Sequence, residues 1–390
     1  MNILSIETSC DETAVSIVKA EGEFPDATYT VLGNSLFSQI DIHREYGGVF
    51  PAVAKREHAK TLVPMLTKAL QEARLRESEP APLTHEQTEE LHTILYREPT
   101  LGESFVQFLG NHGKPDIDLI AVTTGPGLEP TLWVGINFAR ALSYFWNIPV
   151  IPVNHMEGHI LSSLFTENAI PEIEFPALAL LISGGHTELD LMNEWGDYSC
   201  IGETRDDAVG EAFDKVARML NLSYPGGPEV GKRAALAREK GLPVFASLPR
   251  PMLDAPNLEF SFSGLKTAVR CAIKDKILTE DDVSAISRDF EDAVVDVLLN
   301  KSDRAIRLHG VKTLIIGGGV SANTRIREVF TSFFKERHPS LAVYFPPRTL
   351  STDNSVMIAL AGHARAKDKL NTLEFSYTKA DGNLSLSSGS

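Results

Sequence analysis

The chain has few cysteines and no long apolar run. Its three cysteines, Cys10, Cys200 and Cys271, lie far apart and form no Cys-x-x-Cys pair. This spacing excludes a disulfide framework and a thiolate zinc knuckle, and it fits a reducing cytosol, so we expect a cytoplasmic protein. No apolar stretch approaches the roughly 18 residues that cross a bilayer, and no basic segment precedes an apolar one before Glu7. A signal peptide and a membrane partner are therefore not expected.

Positive charge is also scarce. The chain has 37 Lys and Arg against 52 Asp and Glu, which gives a formal net charge of -15. Because nucleic acids bind largely through cations that neutralise phosphates, most of the surface should repel a polyphosphate. The charge is uneven, however: residues 215–250 and 304–337 each hold seven Lys or Arg against two acids. The sequence therefore excludes indiscriminate nucleic-acid binding and permits a basic face in the second half.

The remaining composition is typical of a soluble globular protein. A length of 390 residues suits two domains, and 43% of the residues are hydrophobic while 23% are charged. Strand-turn-strand patterns at 1–19 and 177–192 open the two halves and indicate a duplicated architecture with a boundary near residue 150. Elsewhere, apolar strands alternate with helical patterns. This alternation predicts an α/β fold with a mainly parallel sheet in each half.

Two segments depart from the alternation. Residues 72–104 hold eight Glu against three Arg, with three prolines and no clean helical periodicity. We therefore expect an acidic, solvated insertion at about 76–115. The final residues, 371–390, end in a stretch rich in Ser and Gly, which is typical of a flexible tail.

The segment HMEGH, residues 155–159, follows the predicted strand IPVIPV. On a helix, residues i and i+4 share a face, so His155 and His159 could both reach one metal ion. The alternative is that the two histidines cap or pack a turn between a strand and a helix. Glu157 would lie about 200° around the helix from His155, which argues against the general base of a zinc peptidase.

Glycine-rich turns follow two predicted strands of the second half. Residues 183–185 (Ser-Gly-Gly) lie within the second hairpin, and residues 317–319 (Gly-Gly-Gly) lead to a helix beginning near Asn323. Such turns let backbone N–H groups approach a phosphate, although each also fits a simple tight connection. The presence of both turns in the same half favours a nucleotide site more strongly than either turn would alone.

Several carboxylates have two interpretations each. Asp207, Glu211 and Asp214 have helical spacing, so they form either a solvated acidic face or a group that orients ribose hydroxyls or holds a cation. Asp353 precedes the last long helix, where it either caps the helix or supplies a carboxylate oxygen to a site. Asp11 lies at the tip of the first hairpin.

Ten segments in this order resemble the family of bacterial-type tRNA N6-adenosine threonylcarbamoyltransferases, formerly described as O-sialoglycoprotein endopeptidases. The segments are IETSCDET (6–13), YGGVFPAVAKREH (46–58), GPGLEPTLWVG (125–135), HMEGH (155–159), LLISGGHTEL (180–189), DDAVGEAFDK (206–215), YPGGP (224–228), FSFSGLKT (260–267), GGGVSAN (317–323) and STDNS (351–355). They span nearly the whole chain, which makes a chance match very improbable.

The resemblance implies a two-lobed α/β fold of the actin-like ATPase class, shared with sugar kinases and DnaK-type chaperones. Each lobe would hold a duplicated mixed sheet, with the ligand between the lobes. The N-terminal lobe would span 1–150, including the insertion at about 76–115. The C-terminal lobe would span 151–370 and hold the metal and adenylate site, with its last helix near the lobe interface and a tail at 371–390.

The resemblance also implies an activity. Family members transfer the threonylcarbamoyl group from threonylcarbamoyl-adenylate to N6 of the adenosine 3′ of the anticodon, in tRNAs that read codons starting with A. The product is t6A, and AMP is released. By motif match, the metal ligands are His155, His159 and Asp353. The substrate contacts are Leu181, Ile182, Ser183, Gly184, Gly185, Asp214, Gly227 and Asn323. No catalytic base carries over, and Asp11 is the candidate because the family's first hairpin points into the cleft.

Cofactors and partners follow from the same resemblance. Two His and one Asp suit Fe²⁺ and Zn²⁺ equally, and Mg²⁺ would join them only with a bound nucleoside triphosphate. The expected partners are tRNA, threonylcarbamoyl-adenylate, a degenerate paralogue subunit and a small ATPase subunit (TsaB- and TsaE-like). Three alternatives remain: a metallopeptidase built on the histidine pair, a small-molecule kinase of the same fold, and a non-catalytic scaffold. The scaffold predicts loss of the metal ligands, yet all three are present.

Overall fold

The structure, a computed structural model, describes residues 1–389, with side chains placed to residue 387. Its contacts divide the chain into two compact units. The first unit contains Met1–Asp41, Val49–Glu172 and Asp353–Ser385, and the second contains Ile42–Gly48, Ile173–Thr352 and the residues from Leu386. Among the described residues, no helix combines the length and the hydropathy needed to cross a bilayer.

Strands and helices alternate along most of the chain. The strands are β1 (Asn2–Glu7), β2 (Glu12–Glu21), β3 (Thr28–Ser38), β4 (Leu119–Gly125), β5 (Val150–Asn154), β6 (Ala177–Ile182), β7 (Thr187–Glu194), β8 (Asp197–Glu203), β9 (Thr313–Gly317) and β10 (Ala342–Tyr344). The helices are α1 (Ile40–Arg44), α2 (Pro51–Ala73), α3 (His85–Ile94), α4 (Pro99–Leu109), α5 (Glu129–Trp146), α6 (His155–Leu164), α7 (Val209–Met219), α8 (Gly226–Glu239), α9 (Ser263–Ile273), α10 (Glu280–His309), α11 (Thr324–Arg337), α12 (Ser355–Ala364) and α13 (Thr372–Phe375).

The first unit holds a mixed five-stranded sheet in the order β3-β2-β1-β4-β5. β1, β2 and β3 are antiparallel, whereas β1, β4 and β5 are parallel. The first hairpin is confirmed, with Glu7 opposite Ala14. Every residue of β4 is buried, as expected for a strand covered on both faces. Helices α2, α5 and α12 contact this sheet.

The second unit repeats this strand order. Its sheet runs β10-β9-β6-β7-β8, with β6, β7 and β8 antiparallel and β6, β9 and β10 parallel. Its hydrophobic core includes residues of α7, α8 and the long helix α10. The second hairpin is therefore confirmed, and so is the α/β class with a duplicated mixed sheet.

The predicted boundary near residue 150 differs from the division seen in the structure. β5 pairs with β4, so it completes the first sheet, and α6 follows it directly. The chain later returns to the first unit, where α12 contacts β1, β2 and β4. Residues 151–172 and 353–370, which we expected in the second lobe, therefore belong to the first unit. Local sequence patterns do not reveal such a return, because it depends on long-range packing.

The segment that we expected to be a solvated insertion contains α3 and α4 and is partly buried. Leu91, Leu95, Leu101 and Phe105 are at most 1% exposed and belong to the core of the first unit. Leu91 and Leu95 are four residues apart at the end of α3, and Leu101 and Phe105 are four residues apart in α4. Residues with this spacing lie on one side of a helix, so each helix has a buried face. The prediction of an irregular, solvated segment is therefore wrong for these two helices.

The predicted flexible tail also differs from the structure. Phe375 of α13 is fully buried in the core of the first unit. Farther along, the backbone N–H of Asp381 donates a hydrogen bond to the carbonyl of Thr124 at 2.9 Å. The prediction is thus wrong for 371–385, which pack on the first unit, while residue 390 lies outside the described residues.

Candidate functional site

The two histidines of HMEGH lie at the start of α6, directly after β5. Asn154 caps this helix, since its side-chain oxygen accepts a hydrogen bond from the N–H of Met156 at 2.9 Å. The rings of His155 and His159 are 4.7 Å apart between centroids, and both residues are buried. The predicted pair on one helical face is therefore present in the structure.

Asp353 joins this pair from just before α12. Asn354, not Asp353, caps α12, because its side-chain oxygen accepts a hydrogen bond from the N–H of Met357. Asp353 Oδ1 instead lies 3.4 Å from His155 Nε2 and 3.2 Å from His159 Nε2. One ligand atom from each residue lies within 4.8 Å of the other two. The structure thus brings together the three expected metal ligands, all within the first unit.

Glu7, which sequence analysis missed, holds His155 from the other side. This residue is fully buried at the end of β1, and its Oε2 accepts hydrogen bonds from His155 Nδ1 at 3.1 Å and from Thr123 Oγ1 at 2.5 Å. The other oxygen accepts the N–H of Ser9 at 2.6 Å. A carboxylate bound to one imidazole nitrogen fixes which nitrogen faces a metal. The signal in the sequence was an acid ending an apolar strand.

The electrostatics of the three residues suit a cation. Burial opposes ionisation of Asp353, but His155 and His159 hold its pKa below its usual range. Burial alone would lower the pKa of His155, but the charges of Glu7 and Asp353 raise it. Burial lowers the pKa of His159, so this imidazole is held neutral.

His159 provides the test of whether a metal fits. Its two buried ring nitrogens form no aligned hydrogen bond with the described residues, although Nε2 lies 3.2 Å from Asp353 Oδ1. A buried polar atom without a partner is costly, and a neutral imidazole is a good ligand for a transition metal. Two nitrogen donors and one carboxylate oxygen form a common ligand set for Fe²⁺ or Zn²⁺. The residues present therefore fit a divalent metal.

Glu157 is not available as a peptidase base. It is 2% exposed and accepts a hydrogen bond from Arg365 Nε at 2.5 Å. A buried carboxylate in such an ion pair stabilises the local fold, because removing either partner leaves an unpaired charge. The structure agrees with the expectation that Glu157 lies off the metal-binding face.

The first hairpin places further acids near Asp353. Asp11 follows β1 and is 7% exposed. Its neighbour Glu12 has a pKa raised well above the ordinary value by burial and by the charges of Asp11 and Asp353. Neither geometry nor charge singles out a general base, so the role expected for Asp11 stays a prediction.

The glycine turns lie at one edge of the second sheet. β6 and β9 are parallel, so their carboxyl ends meet there, at Ile182 and Gly317. Leu181 and Ile182 are buried in β6, and the Ser183 hydroxyl accepts the N–H of His186 at 3.0 Å.

Space for a ligand differs among the glycines at this edge. A Cβ added at Gly184 or Gly185 would meet no heavy atom within 4 Å, so the turn is open on that side. Gly318 has φ +86°, and a Cβ there would lie 2.5 Å from the carbonyl oxygen of Ile182, so only glycine fits. The turn after β9 therefore needs glycine for packing, whereas the turn after β6 leaves room for a ligand.

The other expected substrate contacts lie around α8. Asp214 of α7 accepts the N–H of Gly226 at 2.6 Å, next to Gly227, whose Cβ position is open. Asn323 caps α11 by accepting the N–H of Ile326 at 3.0 Å, and its amide nitrogen donates to Glu291 at 2.7 Å. The structure thus gives the side chains of Asp214 and Asn323 structural partners, whereas Gly227 faces open space where a side chain would lie.

The basic segment 215–250 does not form a free basic face. Three basic residues of α8 and its C-terminal cap, Arg233, Arg238 and Lys240, each pair with an acid of α10. These acids are Glu280, Glu291 and Asp281. The charge counted along the sequence is therefore largely neutralised where α8 packs on α10.

Comparisons with known proteins agree with the motifs. The family profile described as "TsaD: tRNA N6-adenosine threonylcarbamoyltransferase" matches residues 30–80 and 108–360. The unmatched stretch between these ranges contains α3 and nearly all of α4, which agrees with an insertion there. A curated tRNA N6-adenosine threonylcarbamoyltransferase from Persephonella marina is 41% identical over 380 residues, which cover 97% of this chain and 94% of that protein.

Two solved structures are similar to this chain at low sequence identity. HypF from T. kodakarensis has a TM-score of 0.50 and 12% identity, over 94% of this chain and 49% of that chain. ROK hexokinase from Thermus thermophilus has a TM-score of 0.44 and 12% identity, over 94% of this chain and 100% of that one. At this identity the HypF likeness shows the fold alone. Because the family profile covers most of the sequence and the Persephonella marina relative covers nearly all of it, this chain belongs to the TsaD family of tRNA N6-adenosine threonylcarbamoyltransferases.

Proposed function

We propose that this protein transfers the threonylcarbamoyl group of threonylcarbamoyl-adenylate to N6 of the adenosine that follows the anticodon, forming t6A and releasing AMP. The observation that supports this most directly is the cluster of His155, His159 and Asp353, whose ligand atoms lie within 4.8 Å of one another. The donor is an activated mixed anhydride, so the chain must position it rather than activate it.

His155, His159 and Asp353 would hold one divalent metal, Fe²⁺ or Zn²⁺. When bound, the metal would act as a Lewis acid toward oxygens of the threonylcarbamoyl group. Glu7 fixes the ring of His155 by accepting its Nδ1 proton, and Thr123 fixes Glu7 in turn. This orientation keeps His155 Nε2 on the same side as Asp353 without a rearrangement.

In the second unit, the open turn after β6 would bind the adenylate. A Cβ built on Gly184 or Gly185 would meet no heavy atom within 4 Å, so a phosphate would have room on that side of the turn. The N–H of Gly185 donates to Ser183 Oγ at 3.3 Å. Gly227 is open in the same way at the start of α8. Leu181, Ile182, Ser183, Asp214 and Asn323 would complete the contacts, as the resemblance implies.

The acceptor is tRNA, and its target adenine must leave its stack for N6 to reach the donor carbonyl. Because the basic residues of α8 are mostly paired with acids, intrinsic affinity for tRNA should be low. Helper subunits, a degenerate paralogue and a small ATPase, would then supply part of the binding surface. A cytoplasmic location fits this substrate and the unpaired cysteines.

The experiment mixes the metal-loaded protein with tRNA and threonylcarbamoyl-adenylate, then digests the tRNA and detects t6A by mass spectrometry. We expect product with the wild-type protein and none with His159→Ala. Absence of product even after candidate helper subunits are added would overturn the proposal. A protein that phosphorylated a small metabolite without tRNA would instead support the kinase alternative.

A further inference from the structure

A second group of ligand-type side chains lies on β7 and β8 of the second unit, where Glu188 pairs with Leu181 of β6, one of the expected substrate contacts. Glu188 and Asp190 are two residues apart on β7, so they share a face of the sheet. Cys200 of β8 lies directly opposite Asp190, and opposite residues of antiparallel strands point to the same face. One possible ligand atom from each residue lies within 4.8 Å of the other two.

Asp190 is the unusual member of this cluster. It is 1% exposed, and its buried Oδ2 has no hydrogen-bond partner among the described residues. Burying a carboxylate without a partner is strongly unfavourable unless something neutralises it. A bulge in the pairing of β7 with β8, between Leu189 and Asp190, sets this side chain against Cys200.

The surrounding charges do not neutralise Asp190. Glu203 pairs with Glu188 across the strands, so the cluster has a third carboxylate close by. In the part of the chain that the structure describes, no Lys or Arg forms an ion pair with Glu188, Asp190 or Glu203. Burial and the charge of Glu203 raise the pKa of Glu188 to about 7. Burial and the charges of Asp190 and Glu188 raise the pKa of the Cys200 thiol to about 12.

We propose that Glu188, Asp190 and Cys200 form a second metal site that binds a divalent transition ion of the zinc class. A thiolate ligand favours Zn²⁺ or Co²⁺ over Mg²⁺ and Ca²⁺, which prefer oxygen ligands. Binding would displace the thiol proton and any carboxyl proton into solvent, so two carboxylates and one thiolate would face the ion. The ion would neutralise the unpartnered Asp190 and clamp β7 to β8 at the bulge.

Cobalt spectroscopy tests this site independently of the transferase reaction. The full-length protein is stripped with a chelator and titrated with Co²⁺, and the near-ultraviolet thiolate-to-cobalt charge-transfer band is recorded. We expect the band in the wild type and in His159→Ala, because the proposed site does not use His159. Loss of the band in Cys200→Ser is expected, whereas Cys271→Ser, which changes an exposed cysteine of the same unit, should retain it.

Two outcomes would overturn the site: no thiolate band in the wild type, or a band of full intensity in Cys200→Ser. A second variant guards against misfolding of the first. Asp190→Asn keeps the thiol and the side-chain volume, and we expect it to bind Co²⁺ at least about 10-fold more weakly, as loss of a ligand should cost no less than loss of a supporting group. Unchanged Co²⁺ affinity in a folded Asp190→Asn protein would equally contradict the proposal.

Discussion

The two sheets have the same strand order, but the polar cluster in each unit is of an opposite kind. In the first unit, Glu7 and Asp353 share His155 between them, so each carboxylate has a basic partner without a metal. In the second unit, Asp190 and Glu188 face a thiol, and no basic side chain among the described residues pairs with them. Without a metal, His155 therefore balances the carboxylates of the first cluster, whereas burial and mutual repulsion raise the pKa values of the acids and the thiol of the second and favour their protonated forms. Metal loss should affect activity through the first and stability through the second.

The largest expected effect comes from removing the charge of Asp353. Asp353→Asn keeps the side-chain volume but replaces a charged ligand with a weakly coordinating amide. We expect kcat/KM for t6A formation to fall at least about 100-fold, beyond the range typical for residues that only support a ligand. Asp368→Asn, an exposed acid of the same unit, is the matched control and should retain activity. A loss of less than threefold in Asp353→Asn would show that the cluster does not serve the reaction.

A smaller effect is expected from Glu7, which touches the cluster only through His155. Glu7→Gln can still accept the Nδ1 proton of His155 but removes the buried negative charge. We expect metal affinity, measured by competition with a chelating dye, to weaken by about 10- to 100-fold. Thr123→Val removes one hydrogen bond to Glu7 and leaves the charge, so its loss should be smaller. Equal losses in the two variants would mean that packing, not charge, positions His155.

Two adjacent glycines of the second unit, Gly226 and Gly227, should respond differently to the same substitution. A Cβ at Gly226 would lie 2.6 Å from the Ala217 Cβ and 2.7 Å from the Asp214 Cα, whereas Gly227 faces open space. We expect Gly226→Ala to lower the free energy of unfolding by about 1–3 kcal/mol through overpacking. Gly227→Ala should leave stability within about 0.5 kcal/mol, since an open surface position rarely matters more.

AMP binding should be weakened in Gly227→Ala, the variant whose stability is expected to stay unchanged. If the Gly227 backbone contacts the adenylate, Gly227→Ala weakens AMP binding by about 10-fold in calorimetric titration, an estimate equal to about 1.4 kcal/mol. Stability and binding are thus measured on the same pair. Unchanged AMP affinity in Gly227→Ala would remove this residue from the substrate contacts.

How far the sequence predicted the site depended on the range of each interaction. The His155 and His159 pair is a local feature, because four residues on one helix set its geometry, so its arrangement was predictable. Asp353 lies nearly two hundred residues away, and only the family resemblance connected it with the pair. Glu7 was missed because its contact with His155 depends on the parallel pairing of β1, β4 and β5. The carboxylates of β7 were missed because the opposing residue on β8 was unknown.

The fold, too, was predictable only where the interactions are local in the sequence. Both hairpins were predictable, since a short turn joins their strands. The burial of Leu91 was not, because charged neighbours hide the apolar spacing of α3. Phe105 was missed because the acidic composition of residues 72–104 was extended to α4, which is itself largely apolar. The packing of Phe375 was also hidden, since a short helix near a polar terminus has little local signal. The return of α12 to the first sheet requires knowledge of the whole topology.

The smallest expected effect compares one carboxylate from each cluster without metal. In chelator at neutral pH, Asp353→Asn removes an ionised partner of two histidines, so we expect the free energy of unfolding to fall by about 1.5–3 kcal/mol. Asp190→Asn removes an unpartnered acid that is crowded by Glu188, so stability should stay level or rise by up to about 1 kcal/mol. Urea unfolding followed by circular dichroism measures both. A loss above about 1 kcal/mol in Asp190→Asn would mean that an interaction of Asp190 stabilises the metal-free fold, and the contrast between the two sheets would disappear.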